Sequence, residues 1–240
     1  MSSLQEVILH TTGNYSGTLT TFVNFYSYRK LRRFRNIYSE FDNIHIDGIA
    51  LQLIFNFFYG SHLPRISFDF TSIADDIFYL AEVEKKSIFF VGSKNNEISN
   101  AVARIRLRYP KLIISGFRHG YFASDKEYYD AIKSISDMNP DIIIAGMGTP
   151  LQEMLLIDIK KTMWKGSGFT CGGFLHQTAI KSMYYPKWIN KLNLRWLYRI
   201  CDEPYLYKRY MIDYSIGLFL FIKDYFTSKR KYEKSSVYRN

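Results

Sequence analysis

Four apolar runs, each closing on glycine, constrain this chain more than any other feature: SIFFVG (87–92), KLIISG (111–116), DIIIAG (141–146) and GFTCGG (168–173). Their branched and aromatic residues suit strands, and the absence of polar alternation is the pattern of strands covered on both faces. Helical spacing fills the gaps between them. Residues 95–108 put Ile98, Ala101, Val102 and Ile105 on one face, with Arg104, Arg106 and Arg108 interleaved and Pro110 just beyond. Residues 128–138 and 151–163 read the same way. Alternating strands and helices predict an α/β fold, a Rossmann-like, mostly parallel sheet flanked by helices. Ligands of such sheets bind where strands end and helices begin, so the glycines mark the expected ligand edge.

The stretch IHIDGIALQL (44–53) interrupts an apolar run with Asp47. A carboxylate among apolar neighbours is costly unless it is paired or stands at an opening. Asp47 follows NIHI as the glycines follow the other runs, which places it on the same edge. The plainer alternative is that Asp47 caps a helix starting at about Ile49. Gly48 is expected to let the chain turn from strand to helix.

A chain of 240 residues suits one sizeable core with an appendage, and 47% hydrophobic with 18% aromatic residues argues for a folded chain. Cys171 and Cys201 make no disulfide framework, and MSSLQEVILHTTGNYSG at the start lacks the basic and apolar regions of a secretion signal; both point to the cytoplasm. No apolar run reaches the roughly 20 residues that a membrane crossing needs. The net charge of +10 gathers in YRKLRRFR (28–35), in 195–209 and in KRKYEK (229–234), which suggests an anionic partner such as phosphate, nucleic acid or a membrane face. IDYSIGLFLFIKDYFTSKRKYEK (212–234) joins an apolar aromatic helix to a basic tail. Such a segment either lies in a membrane interface or packs on the core with a basic end, and the tail beyond Ser228 is expected to be poorly ordered. The expected division is an α/β core over 1–190 and a helical, basic, membrane-proximal appendage over 191–240.

Several chemistries lack their motifs. The dinucleotide fingerprint is missing, GMGTP (146–150) supplying only two glycines, and no P-loop occurs. Cys171 and His176 have no second pair at zinc spacing, and no Asp-x-Asp stands ready for a divalent cation. Neither a metal nor a cofactor is expected, so a bound nucleoside diphosphate would be neutralised by basic side chains and backbone N–H groups. A nicotinamide oxidoreductase would explain the sheet but lacks the fingerprint. A nucleic-acid-binding protein would explain the charge and the 20 tyrosines but shows no RNA-binding signature.

Six segments together carry a resemblance: IDG (46–48), RISFD (65–69), FVGSK (90–94), YPKLIISGFRHGYF (109–122), PDIIIAGMGTPLQE (140–153) and YPKWINKLNLRWLYRICDEPYLYKRY (185–210). In order and spacing they resemble the WecG/TagA/CpsF glycosyltransferase family over about residues 20–210. The resemblance implies an inverting, metal-independent enzyme that moves a sugar from a UDP-sugar to a polyprenyl-diphosphate-linked acceptor. Its place would be the cytoplasm, peripherally on the inner face of the plasma membrane, with an anionic lipid surface as partner and no nucleic acid. The family's sugars include N-acetylmannosamine, its uronic acid and glucose, and a homo-oligomer is compatible with the aromatic surface. The implied general base is Asp47, with Arg65 assisting. Asn24, Gly48, Gly148, Gln152 and Glu153 would contact substrate, and Arg199 and Arg209 would close over the donor diphosphate.

Bottom-up alternatives stand beside these roles. Arg65 alone reads as a surface arginine, and Gln152 and Glu153 as a helix first turn favoured by the dipole. The chain also departs from its relatives. Tyr184-Tyr185-Pro186 replaces Arg-Ala-Pro, Leu194-Arg195-Trp196 replaces Leu-Glu-Trp, and Leu151 replaces a lysine. Tyr205 stands where an arginine usually follows Glu-Pro, leaving Arg195 and Lys208 as candidates to replace it, though lysine and arginine are not equivalent on phosphate.

Overall fold

The computed structural model describes residues 3–9, 14–181, 184–192 and 194–237, with the side chains of Lys187, Asn190 and 230–237 outside the description. Six parallel strands form one sheet: β1 (Leu19–Val23), β2 (Asn43–Ile46), β3 (Ser87–Gly92), β4 (Ile113–Arg118), β5 (Ile142–Gly146) and β6 (Ser167–Thr170), in the order β2-β1-β6-β5-β3-β4. One face is covered by α1 (Leu4–Leu9), α2 (Phe25–Leu31), α3 (Arg35–Tyr38), α4 (Ile49–Tyr59), α7 (Asp125–Met138), α8 (Leu151–Lys160) and α12 (Tyr214–Val237). The other carries α5 (Ile73–Val83), α6 (Asn95–Arg108) and α9 (Phe174–Ile180). Strand periodicity divides the core: Phe89 and Val91 point to the first layer, Ile88 and Phe90 to the second. The expected α/β architecture is therefore the one observed.

Details differ from the sequence pattern for identifiable reasons. β4 runs past Gly116 to Arg118, so that glycine does not end its strand. It is there for space, because a Cβ on Gly116 would stand 2.5 Å from the Phe89 ring, beside a register shift at Ile88/Phe89. Helix α8 stops at Lys160, ahead of the expected 163. β1 carries no sequence signal comparable to the other strands, since Thr20 and Thr21 look polar; both are buried, their hydroxyls bonded to neighbouring strands and, for Thr21, also to Glu153 of α8.

The chain leaves β3 and its neighbour β5 toward opposite faces, through α6 and α8. That switch opens a crevice at the carboxyl ends of the strands. Gly92 and Gly146 stand side by side there, with φ of +151° at Gly92 and only 2.4 Å between its would-be Cβ and the Gly146 carbonyl oxygen. Gly92→Ala must separate two backbones, so it is expected to cost on the order of 2 kcal/mol and lower the melting temperature by about 5 °C in a thermal unfolding scan.

The C-terminal segment passes through α10 (Lys187–Lys191), α11 (Arg195–Asp202), a tight turn at Pro204–Leu206 and a wide helical turn at Arg209–Asp213 before entering α12. Helix α12 lies against α2. Arg32 Nε donates to Asp224 at 2.6 Å, the Tyr28 hydroxyl donates to the same carboxylate at 2.8 Å, and Arg29 pairs with Asp213. Phe221 is fully buried among Phe25, Tyr28, Phe55 and Phe58. Of the two readings of 212–234, core packing holds for this face, while Phe219 and Phe226 lie exposed on the outside. The side chains of the basic tail from Arg230 lie outside the described ones. No helix among the described residues is long and apolar enough to cross a membrane.

Candidate active site

Asp47 begins where β2 stops. Its N–H donates to the Val23 carbonyl at 2.8 Å, and α4 then starts with Gly48 at its cap position and no side chain bonded to the helix end. The helix-cap reading of Asp47 therefore fails. Among the described residues, nothing donates a hydrogen bond to its carboxylate. Burial pushes this carboxyl above the usual range; Arg65, then Arg195 and Arg199, pull it back down, while nearby Asp69 adds to the upward push. Gly48 has an ordinary φ of −85°, so no left-handed turn requires it. Space does: a Cβ there would stand 3.0 Å from Cβ of Asn24.

A second carboxylate nearby is spent differently. Ile66 N–H donates to the Ile46 carbonyl at 2.8 Å, which lays the following chain beside the end of β2. Asp69 accepts from Ser67 Oγ at 2.6 Å, Thr71 N–H at 2.8 Å and Arg195 Nη1 at 2.6 Å. Burial pushes its carboxyl up, but Arg195 and these bonds outweigh the desolvation and hold it below the usual range. Arg195 thus tethers α11 to the core, which removes it as the replacement for the arginine missing at Tyr205. Arg65, half-buried between the two carboxylates, has no hydrogen-bond partner among the described residues; burial and then Arg195 lower its proton affinity. Of the two acids, Asp69 is engaged by Arg195, while Asp47 has no hydrogen-bond partner among the described residues.

The segment after β6 supplies a roof. Tyr185, Tyr210 and Tyr214 all lie within electrostatic reach of Asp47. Arg199 Nη2 donates to Glu203 at 3.2 Å and sits over the β6–α9 turn, 3.6 Å from where a Cβ on Gly173 would be. Among the described residues its Nε is buried without a partner, as is Nε of Arg209. The Tyr205 hydroxyl donates to Glu203, so this residue steadies the carboxylate that holds Arg199. Arg209 stacks on Tyr26 of α2 at 3.7 Å from the ring centroid. Lys30, one helical turn from Tyr26, donates to its hydroxyl at 2.7 Å and to the Thr149 carbonyl at 3.3 Å. From sequence Lys30 was one cation in a run; the i, i+4 spacing with Tyr26 was the available signal.

Asn24 caps α2, its Oδ1 accepting from the N–H groups of Tyr26 and Ser27 at 3.1 Å each. This capping places α2 between Asp47 and the β5–α8 loop. In that loop Gly148 takes φ of +77° with open space about it. Gln152 and Glu153 are not a solvated first turn. Gln152 accepts from the Gly172 N–H at 3.2 Å and donates to Glu153 Oε1 at 3.1 Å; Glu153 Oε1 also accepts from Thr21 at 2.9 Å and Thr149 at 3.0 Å. Glu153 is 0% exposed: Oε1 braces the floor beneath the edge, and Oε2 is buried without a hydrogen-bond partner among the described residues. Burial raises its proton affinity. His176 pairs with Glu97 at 3.1 Å, joining α9 to α6. Among the described residues no three His, Cys, Asp or Glu side chains gather closely enough to hold a metal.

What the arrangement can do follows from its parts. One unpaired carboxylate can accept a proton, and basic groups from both core and roof stand by to stabilise an anion. Comparison with known proteins agrees. The family model described as glycosyl transferase WecG/TagA/CpsF matches residues 1–231. A Shigella boydii protein named UDP-Gal:alpha-D-GlcNAc-diphosphoundecaprenol beta-1,4-galactosyltransferase is 44% identical over 206 residues, 86% of each chain. From Bacillus subtilis strain 168, an N-acetylglucosaminyldiphosphoundecaprenol N-acetyl-beta-D-mannosaminyltransferase is 31% identical over 54% of this chain and 50% of its own. The Bacillus spizizenii protein of the same name is 25% identical over 85% of this chain and 74% of its own.

Proposed function

The chain belongs to the WecG/TagA/CpsF family of glycosyltransferases, and from that premise we propose that it transfers a hexose from a UDP-sugar to N-acetylglucosamine carried on undecaprenyl diphosphate, in cell-surface polysaccharide synthesis. The observation that carries the reading is Asp47, a carboxylate without a hydrogen-bond partner among the described residues, set at the ligand edge and facing three arginines. Galactose is the first donor sugar to test, because the 44% identical relative is named for it; it lies outside the three sugars that the family resemblance suggested.

The proposed reaction is a single displacement. Asp47 accepts the proton of an acceptor hydroxyl as that oxygen attacks the anomeric carbon. The carbon–oxygen bond to the diphosphate breaks, and UDP leaves with the electron pair. One base with no second nucleophile inverts the centre, as the β-linkage in the relative's name requires of an α-linked UDP-sugar. Arg199 and Arg209 stabilise the charge gathering on the leaving diphosphate, and Arg65 holds Asp47 ionised. In this reading the α/β core supplies the base and floor, and the C-terminal segment supplies the roof arginines Arg199 and Arg209. The exposed aromatic side chains of 188–226 and the basic tail favour peripheral attachment to the inner membrane face, where the lipid acceptor resides.

A panel of UDP-galactose, UDP-glucose and UDP-N-acetylmannosamine, offered with a polyprenyl-diphosphate N-acetylglucosamine acceptor, tests this directly by product mass and linkage. A β-linked disaccharide from UDP-galactose is expected; no product from any donor, or an α-linked one, overturns the reading. With side-chain cations serving the diphosphate, EDTA is expected to leave the initial rate unchanged, and a strict requirement for added Mg²⁺ or Mn²⁺ would refute metal independence.

A further inference from the structure

Two cations share one tyrosine ring at the ligand edge. Arg209, from the C-terminal segment, lies 3.7 Å from the Tyr26 centroid, and Lys30 Nζ, from the core, lies 4.4 Å from the same centroid. Neither forms an ion pair among the described residues, whereas the neighbouring cations do: Arg29 with Asp213, Arg32 with Asp224 and Arg199 with Glu203. Holding two like charges together without a carboxylate is unfavourable until an anion joins them. The ring and the Tyr26 hydroxyl hold them meanwhile.

We propose that Lys30 is a further donor-diphosphate-binding residue, forming with Arg209 a two-cation clamp on Tyr26. The inference rests on the UDP-sugar reading above. Its geometry is specific. Lys30 reaches the Thr149 carbonyl at 3.3 Å, which fixes its ammonium over the β5–α8 loop beside Gly148. An ammonium has three N–H donors, and the two bonds described leave one for a phosphate oxygen. Two other cations of the C-terminal segment are placed differently: Arg195 is engaged by Asp69, and Lys208 is exposed without a described partner. Arg199, by contrast, is held by Glu203, which also accepts from the Tyr205 hydroxyl.

Calorimetric titration of the full chain with UDP and UMP tests the proposal. Lys30→Met is expected to weaken UDP about tenfold, the usual worth of one charge-assisted hydrogen bond, and to affect UMP much less. Lys30→Arg should recover part of the loss. Tyr26→Phe, which keeps the ring and removes the hydroxyl, should fall between. Arg33→Met removes an exposed charge from the same basic run and should leave the UDP-to-UMP ratio at the parent value, which separates the clamp from a general field. Circular dichroism confirms that each variant is folded. UDP affinity within twofold of the parent in Lys30→Met overturns the clamp while leaving the UDP reading intact. If the parent binds another nucleoside diphosphate in place of UDP, the donor reading falls; the same comparison with that nucleotide then supports the clamp on a tenfold loss and overturns it on none. A parent that binds no nucleoside diphosphate overturns both.

Discussion

Asp47→Asn is expected to lower the transfer rate by about 10³-fold while leaving UDP-sugar affinity within a few-fold of the parent. The asparagine keeps the shape and loses the ability to take the acceptor proton, so the loss falls on kcat. In the parent, kcat should rise with pH through the elevated proton affinity of Asp47 and level off above it, because only the ionised form is a base; the variant should lose that ascending limb. Stability gives an independent check. A carboxyl whose proton affinity is raised on folding binds more protons folded than unfolded, so its contribution to stability declines as pH rises through that range. Removing it is expected to leave the melting temperature at neutral pH no lower than the parent's. Turnover near the parent level, or a large drop in melting temperature with lost UDP-sugar binding, would take Asp47 out of the base role.

Phe221→Ala is expected to be the most destabilising single change on α12. The ring is fully buried and meets Phe25, Tyr28, Phe55 and Phe58 edge-on or tilted, so truncation removes its burial and leaves a cavity. Such losses run to about 3–5 kcal/mol, on the order of 10 °C in melting temperature for a chain of this size. Phe219→Ala, two positions away on the exposed side, should change stability by less than about 0.5 kcal/mol. Equal effects at the two positions would show that α12 does not pack as described. The comparison also bears on truncation. Cutting after Leu194 removes Arg199 and Arg209 from the roof and Phe221 from the core together, so lost activity alone would not identify a membrane role for the segment.

Much of the architecture was legible in the sequence because buried parallel strands leave a direct trace. SIFFVG became β3 without adjustment, and the helix over 95–108 was correct to the residue. Asp47 was legible as an edge residue because a charge after an apolar run is informative wherever the run is a strand. Gly116 misled, since a glycine chosen for packing against Phe89 looks the same in sequence as one that ends a strand. The direction of Glu153 was not legible for a related reason. Its Pro-x-Gln-Glu motif marked importance but not direction, and only the threonines of β1 and the β5–α8 loop turn it inward.

The sequence by itself determined the fold class and the family, because hydrophobic periodicity and motif spacing are local properties of a chain. Tertiary structure alone decided which acid is paired and which is left without a partner among the described residues. Asp69 and Asp47 are both aspartates flanked by apolar residues, yet Arg195, far along the chain, binds one and leaves the other facing an open edge. It also decided that Lys30 meets Arg209 over Tyr26. Charge pairing depends on which side chains arrive at the same point in space, and that is settled by the packing of α2, α11 and α12 rather than by any neighbour in sequence.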